Sequence, residues 1–298
     1  MNKKTHDSGV FNKITVFLEM IKFSHTIFAL PFALIGALLA AGGLPSAGKL
    51  FWIVLAMVGA RTAAMGLNRL IDAGIDGRNP RTAGRALPSG QIGKGTTLLF
   101  ILASLGLLLV AAARLNPLCL MLSPVAIIFL VLYSYCKRFT SLAHVVLGLC
   151  LSAAPIGAWV AIRGSIDGPA LIVGGAVLAW VAGFDILYAL QDLEFDRSAG
   201  LHSIPVLLGV EGSLWAARLF HMVMLGLLLG LFTVMHLGAF FMAGILVTAA
   251  MLLYEHWLLK DGNLLKLDAA FFNMNGYISI VLLLSTAADV FIPISNPG

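Results

Sequence analysis

Two stretches of the chain carry polar side chains at every fourth position, each at the end of a long apolar segment. The first ladder is Asn68, Asp72 and Asp76, and the second ladder is Tyr188, Asp192 and Asp196. Residues four apart lie on one face of an α-helix, so each stretch predicts a short row of oxygen-bearing side chains. Carboxylate and amide oxygens suit Mg²⁺. Two such clusters indicate a metal that holds a phosphorylated substrate.

The elements that must position these ladders are transmembrane helices. The chain has 298 residues, of which 60% are hydrophobic and 11% are charged, whereas soluble domains carry about 25% charged residues. The alternating polarity of membrane β-barrels is absent. Apolar segments near the roughly 20 residues of a membrane span predict an all-α bundle of nine helices. They lie at about 23–43, 50–71, 96–114, 118–136, 142–162, 170–191, 214–234, 239–258 and 271–292.

The basic residues predict the orientation of this bundle in the bilayer. If the N-terminus is cytoplasmic, fifteen of the 19 lysines and arginines fall on the inner side, as the positive-inside rule requires. The outer side then holds Lys49, Arg114 and Arg163, and Arg61 lies inside the second helix. We therefore expect both ladders on the cytoplasmic face of the membrane. The predicted organisation is an N-terminal segment 1–22, a membrane domain 23–292 and a tail 293–298.

The net charge of +5 does not indicate nucleic acid binding, because the cations form short clusters between apolar segments, where orientation in the bilayer explains them. No feature indicates a protein partner. Several of these cations share the predicted face of the ladders, where they are available for diphosphate oxygens that a metal leaves free. They are Lys22, Arg78, Arg81, Arg85, Lys137 and Arg138. For each of them topology alone is the alternative explanation, and Lys137-Arg138 is the best candidate for a simple stop signal.

The motifs around both ladders resemble those of one family. Asn68-x3-Asp72-x3-Asp76, followed by Pro80-Arg81-Thr82 and Arg85-Ala-Leu-Pro-Ser-Gly90, is similar to the first signature of the UbiA-type aromatic prenyltransferases. Asp185-x2-Tyr188-x3-Asp192-x3-Asp196, followed by Gly200-Leu-His-Ser-Ile-Pro205, is similar to the second. One departure is Asn68-Arg69, where the family often has Asn-Asp. The position that differs is not one of the ladder aspartates.

The resemblance implies nine transmembrane helices around a central cavity, with a polyprenyl diphosphate whose tail lies in a tunnel open to lipid. It implies that Mg²⁺ and direct cationic contacts hold the diphosphate. The implied metal ligands are Asn68, Asp72, Asp76, Asp192 and Asp196, and the implied diphosphate ligands are Lys22, Arg81, Lys137, Arg138 and Asn68. The leaving diphosphate is stabilised electrostatically, and the allylic cation alkylates an aromatic ring. Tyr188 is expected to shield that cation.

Three further residues are candidates around the acceptor. A buried arginine such as Arg61 needs a partner. The family resemblance favours a clamp on the carboxylate of an aromatic acid, and an ion pair with Asp185 is the structural alternative. Asp185 itself is expected to orient the acceptor or to take the ring proton. His25 is a candidate for the acceptor cavity, although a lone histidine is more often a hydrogen-bonded structural residue.

The resemblance implies transfer to 4-hydroxybenzoate or to a dihydroxynaphthoate, in ubiquinone or menaquinone biosynthesis. Neighbouring sequence, such as Gly59-Ala-Arg-Thr-Ala-Ala-Met-Gly, favours a bacterial subgroup and with it the naphthoate. A prenyltransferase for another acceptor, of the heme or chlorophyll type, is one alternative. A cation-coupled transporter is the alternative from another class, but it predicts ionisable residues near the bilayer midplane. Both ladders instead lie at helix ends.

Overall fold

The computed structural model describes residues 10–21, 30–259 and 267–292, with the backbone alone at residue 10 and at 267–273. Within these ranges all regular structure is helical. The helices are α1 Val10–Met20, α2 Leu30–Ala41, α3 Ala47–Asp76, α4 Lys94–Leu115, α5 Pro117–Cys136, α6 Ala143–Arg163, α7 Gly168–Ala189, α8 Leu193–Ser198, α9 Ile204–Val234, α10 Ala239–Leu258 and α11 Leu267–Phe291. A 3₁₀ turn, Leu190–Asp192, joins α7 to α8.

Eight helical segments of the described part are long and apolar enough to cross a membrane. They are α3 to α6, the continuous segment Gly168–Ser198, α9, α10 and Met274–Phe291. The first predicted span, 23–43, overlaps α2, which has 12 residues and follows positions that lie outside the description. Nine spans and a cytoplasmic N-terminus therefore stay predictions. The segment 1–9 and the tail 293–298 also lie outside the described residues.

Two elements differ from the sequence-based expectation. The seventh span was predicted at 214–234, but α9 begins at Ile204, with Ser203 as its N-cap and Pro205 in its first turn. Gly209 then takes a positive φ of 68°, a conformation that glycine adopts without strain, and it kinks the helix before its spanning part. The N-terminal segment also contains a helix, α1, that hydropathy alone did not predict.

Helix α1 packs on the loop that follows the first ladder. Its Phe17, Met20 and Ile21 form a buried cluster with Leu87 and Ile92 of that loop. The opposite side is exposed, since Phe11 is 88% accessible. An apolar residue on an otherwise exposed helix face is typical of a helix at a membrane surface. Helix α1 therefore supports the loop that carries half of the site described below.

Helix α7 lies at the centre of the bundle, in contact with α2, α6 and α9. Close approach to α6 depends on Gly148, because a Cβ there would lie 2.5 Å from the carbonyl oxygen of Leu178. Small residues at such crossings let transmembrane helices pack by their backbones. The peripheral α4 and α5 instead expose apolar side chains, such as Leu99 and Ile128, as helices in contact with lipid do. The buried α7 therefore presents the second ladder from a rigid central element.

Candidate active site at the ends of α3, α5 and α7

The first ladder forms as the sequence predicts, on the last turns of α3. Asp72 and Asp76 are 5% and 7% accessible although they lie near a helix end. The amide Nδ2 of Asn68 donates a hydrogen bond of 2.9 Å to Asp72 Oδ2, so two members of the ladder contact each other one turn apart. These buried oxygens require partners, and further partners come from outside the helix.

The loop after α3 folds back onto the helix end. The Thr82 hydroxyl donates to the carbonyl oxygen of Asp76 at 2.9 Å. Arg85 NH1 lies 2.7 Å from both carboxylate oxygens of Asp76. A second guanidinium, that of Arg69, lies 3.9 Å from the same carboxylate. The motif Arg85-Ala-Leu-Pro-Ser-Gly therefore supplies a cation to the first ladder, although Arg85 was not among the site residues assigned from the sequence.

The same loop reaches the second ladder. Asn79 Nδ2 donates to Asp192 Oδ1 at 3.0 Å, and Arg81 Nε donates to the same oxygen at 2.8 Å. Arg81 NH2 donates to the other oxygen of Asp192, and Arg81 NH1 lies 3.3 Å from the hydroxyl of Tyr188. The two carboxylate motifs, more than 100 residues apart in the chain, thus meet in one site.

The electrostatic environment of Arg81 reflects this contact. Burial alone lowers the pKa of a guanidinium, because it removes water from the charged form. The hydrogen bonds and the negative charge of Asp192 outweigh that effect, so the pKa of Arg81 lies above its ordinary value. The guanidinium therefore stays charged, and about a third of the Arg81 side chain is accessible (32%). It can contact an incoming anion from that accessible side.

The end of α5 adds two more cations. Arg138 NH2 donates to Asp72 Oδ1 at 3.0 Å and to the carbonyl oxygen of Ile71 at 2.9 Å. The ammonium group of Lys137 acts electrostatically on Asp72, Asp192 and Asp196. Its carbonyl oxygen also accepts the His202 N–H at 2.8 Å. Lys137 and Arg138 therefore lie between the two motifs, and they do more than end a membrane span.

The sequence predicted that the sixth span, 170–191, continues as one helix through the second ladder. The structure corrects this, because the ladder is not one regular helix. Helix α7 ends at Ala189, and the 3₁₀ turn precedes the short α8. A 3₁₀ turn has about three residues per turn instead of 3.6, so it rotates Asp192 and Asp196 relative to Tyr188. Both aspartates nevertheless stay buried, at 9% and 3% accessible. Glu194, which the ladder pattern excludes, is exposed.

The acceptor candidates are placed differently from the expectation. Asp185 pairs with His144, whose Nδ1 lies 2.6 Å from Asp185 Oδ2. Arg61 does not form the alternative pair with Asp185. Its NH1 donates to the Ile21 carbonyl oxygen at the end of α1, at 3.4 Å. Lys22 and His25 lie outside the described residues, so their roles stay predictions.

Sequence reasoning missed several residues that the fold brings to the site, namely Arg69, Asn79, Tyr133 and His144, and it gave Arg85 only as one of the available cations. The phenol of Tyr133, on α5, interacts electrostatically with Asp185, Asp72 and Arg69. Arg85 and Asn79 lie in the polar loop that follows the first ladder, so that loop was a signal for them. Tyr133 and His144 lie within or beside apolar segments, and no local spacing distinguishes them.

The donor set fits Mg²⁺ chemically, since four aspartates and the amides of Asn68 and Asn79 supply hard oxygen atoms. Within the described ranges, no group of three or more His, Cys, Asp and Glu side chains is arranged to hold a metal ion. Three of the carboxylates are instead paired with Arg81, Arg85 and Arg138. When the metal is bound, Asp72, Asp76, Asp192 and Asp196 would hold it, and the arginines would be available for phosphate oxygens.

Fold and site together define a helical membrane protein with a centre of carboxylates and arginines at one end of its helices. The chain belongs to the UbiA prenyltransferase family, whose model matches residues 29–277. It is thus an integral membrane prenyltransferase.

Similar proteins agree with this assignment. A 4-hydroxybenzoate octaprenyltransferase of Aliivibrio fischeri (strain MJ11) is 31% identical over 252 residues, which cover 85% of this chain and 87% of the relative. A 4-hydroxybenzoate octaprenyltransferase of Vibrio cholerae serotype O1 (strain M66-2) is 30% identical over 249 residues, which cover 82% of this chain and 86% of the relative.

Solved structures show the same fold. A UbiA homologue from Aeropyrum pernix K1, solved in its apo form, superposes with a TM-score of 0.82 at 34% identity, over 89% of this chain and 98% of that chain. A UbiA homologue from Archaeoglobus fulgidus, bound to DMAPP and Mg²⁺, superposes with a TM-score of 0.67 at 20% identity, over 93% and 99% of the two chains.

Proposed function

We propose that this chain transfers a polyprenyl group from its diphosphate to the ring of a hydroxylated aromatic acid, with Mg²⁺ bound at the two ladders. The observation that carries the proposal is the contact of Asn79 and Arg81 with Asp192. This contact joins both carboxylate motifs and their cations into one site. A site of this size and charge suits a diphosphate with its metal. The Archaeoglobus fulgidus homologue, whose structure holds DMAPP and Mg²⁺, supports this assignment.

The chemistry follows from the charges at the site. When bound, Mg²⁺ would neutralise the negative charge that the diphosphate gains as the allylic carbon–oxygen bond breaks. Arg81, Lys137 and Arg138 would stabilise the remaining charge on the leaving group, because the fold holds all three cations beside the ladders. Tyr188 presents its ring near Arg81, whose guanidinium carbon is 5.6 Å from the ring centroid. The same aromatic face suits an allylic cation.

The acceptor is an acid in this proposal because Arg61, a cation inside α3, can bind a carboxylate through two hydrogen bonds. Its guanidinium donates to the end of α1, and it is only partly buried. The names of the bacterial relatives support 4-hydroxybenzoate, whereas the local motif resemblance favours a dihydroxynaphthoate. Both acids carry a carboxylate for Arg61 and a hydroxyl that activates the ring. Acceptors of the heme or chlorophyll type do not need this clamp.

The proposed location is the bacterial inner membrane with the site on the cytoplasmic side, which the fifteen inner cations support. The arginine–aspartate pairs of the two ladders lie at the ends of α3, α5 and α7, not along a path through the bilayer. This arrangement disfavours the transporter alternative.

Membranes that contain the chain test the proposal. They receive Mg²⁺, a polyprenyl diphosphate and either acid, with EDTA as the control. The proposal expects one acid to give a prenylated product that disappears with EDTA. Transfer that persists without divalent metal, or no transfer to either acid, contradicts it.

A further inference from the structure

His144 and Asp185 form a buried pair outside the metal ladders. His144 lies at the beginning of α6 and is 2% accessible. Its Nδ1 is 2.6 Å from Asp185 Oδ2, and its Nε2 accepts the backbone N–H of Ile204 at 3.4 Å. Because Nε2 accepts, the ring proton of a neutral imidazole must be on Nδ1, where it is donated to Asp185. The two contacts therefore fix one tautomer and one orientation of the histidine.

The arrangement leaves the aspartate available to a substrate. Its side chain is 20% accessible, whereas that of His144 is 3% accessible. Asp185 lies seven residues before Asp192 on the central helix. The phenol of Tyr133 interacts electrostatically with both Asp185 and Asp72. Asp185 and Asp72 of the first ladder are thus near the same side chain of α5, and there we expect the acceptor ring to meet the allylic carbon.

We propose that His144 is a positioning residue that orients Asp185 as the base for the aromatic ring. This inference rests on the proposed function. When the allylic carbon–oxygen bond breaks, its electron pair leaves with the diphosphate. A ring π pair forms the new carbon–carbon bond, and the ring carbon then loses its hydrogen as a proton. The proton goes to the Asp185 carboxylate, and the C–H electron pair restores aromaticity.

A neutral histidine suits this task better than a cation. An imidazolium beside the carboxylate would weaken it as a base, whereas the single N–H donor of a neutral ring orients one carboxylate oxygen and leaves the other to take the proton. In metal sites, a carboxylate orients a histidine through the same hydrogen bond. Here the histidine orients the carboxylate. The hydrogen bond to Ile204 also connects His144 to the segment that follows the second ladder. The base and the diphosphate site are therefore held by neighbouring parts of the fold.

Four variants separate positioning from packing. His144→Leu removes both hydrogen bonds, His144→Asn keeps an N–H donor near the Nδ1 position, and His144→Gln places its amide near the Nε2 position. His221→Leu is the matched control, because His221 is equally buried (2%) and hydrogen bonded to His256 through Nδ1 at 2.9 Å. Each variant is assayed with the acceptor acid carrying hydrogen or deuterium at the reacting ring position.

The inference expects His144→Leu to lower kcat by about ten- to a hundred-fold, which is less than the roughly 10²–10⁴-fold that a general base contributes, because Asp185 is misaligned and not removed. Proton removal then limits the rate, so ring deuteration slows His144→Leu and not the wild type. His144→Asn recovers most of the rate. His144→Gln stays slow with an isotope effect, and His221→Leu shows none.

An unchanged His144→Leu rate overturns the inference, as does a slow His144→Leu without an isotope effect, which indicates a packing defect only. If His144→Leu does not reach the membrane, the comparison of His144→Asn with His144→Gln decides. Equal rates for those two variants overturn the inference. A wild type that prenylates neither acid refutes the proposed function itself, and this inference with it. An active wild type with isotope-silent variants refutes the inference alone.

Discussion

Replacing Arg81 tests the contact that joins the two ladders. Arg81 makes two charge-assisted hydrogen bonds to Asp192; when metal occupies the ladders, the same two N–H groups would bind diphosphate oxygens, and such bonds contribute roughly 1.5–3 kcal/mol each. Because about a third of the Arg81 side chain is accessible (32%), water replaces part of that interaction. We therefore take the lower end, about 3 kcal/mol for the pair. Since about 1.4 kcal/mol corresponds to a factor of ten, Arg81→Ala should lower kcat/KM by about 100-fold.

The assay is prenyl transfer in membranes, with saturating acceptor and varied prenyl diphosphate. Arg81→Lys keeps the charge but not the two-pronged geometry of the guanidinium, so it should lose about half of the free energy, roughly a factor of ten. Arg78 gives the matched control from the same loop. It is exposed, and its Nε donates to the Gly74 carbonyl oxygen of α3 at 3.3 Å. Equal activity of Arg81→Ala and Arg78→Ala would refute the reasoning.

Three other predictions concern the acceptor, the packing and the orientation. Arg61→Ala should raise the KM for the aromatic acid while the KM for prenyl diphosphate stays unchanged, and an unaltered acceptor KM would count against the clamp. Gly148→Ala should destabilise the fold by about 1–3 kcal/mol, as overpacking does, because its Cβ would meet Leu178, and thermal unfolding in detergent measures this. Gly157→Ala in the same helix, with open space at its Cβ, is the control and should be neutral. A single cysteine at the exposed Ser89 should react with an impermeant thiol reagent from the cytoplasmic side only. Labelling from outside would reverse the orientation.

The first ladder was predictable because its chemistry is local. Asn68, Asp72 and Asp76 share one face of one helix, and their four-residue spacing is enough to predict this. The apolar segments likewise gave the span 239–258 as the structure has it. In the second ladder, the same spacing predicted Asp192 and Asp196, but hydropathy carries no signal for the 3₁₀ turn that precedes α8. Ser203 caps the beginning of α9 and Pro205 lies in its first turn, which are local signals of a helix start that hydropathy does not contain.

The partners of the ladders were not predictable from spacing. Asn79 and Arg81 contact Asp192 across more than 100 residues, and His144 contacts Asp185 across 41. Contacts of this kind depend on which helices pack together, and a pattern in one segment does not contain that information. The family resemblance supplied Arg81 as a diphosphate ligand, but its pairing with Asp192 is visible only in the fold.

The central claim is that both ladders hold one diphosphate through Mg²⁺, and binding of a radiolabelled polyprenyl diphosphate to the purified chain tests it directly. The account predicts binding of about one equivalent per chain with Mg²⁺ and loss of binding with EDTA. Asp72→Ala and Asp192→Ala should each abolish that binding while the chain still reaches the membrane, because each removes a metal ligand from a different ladder. Full Mg²⁺-dependent binding in either variant would contradict a shared site.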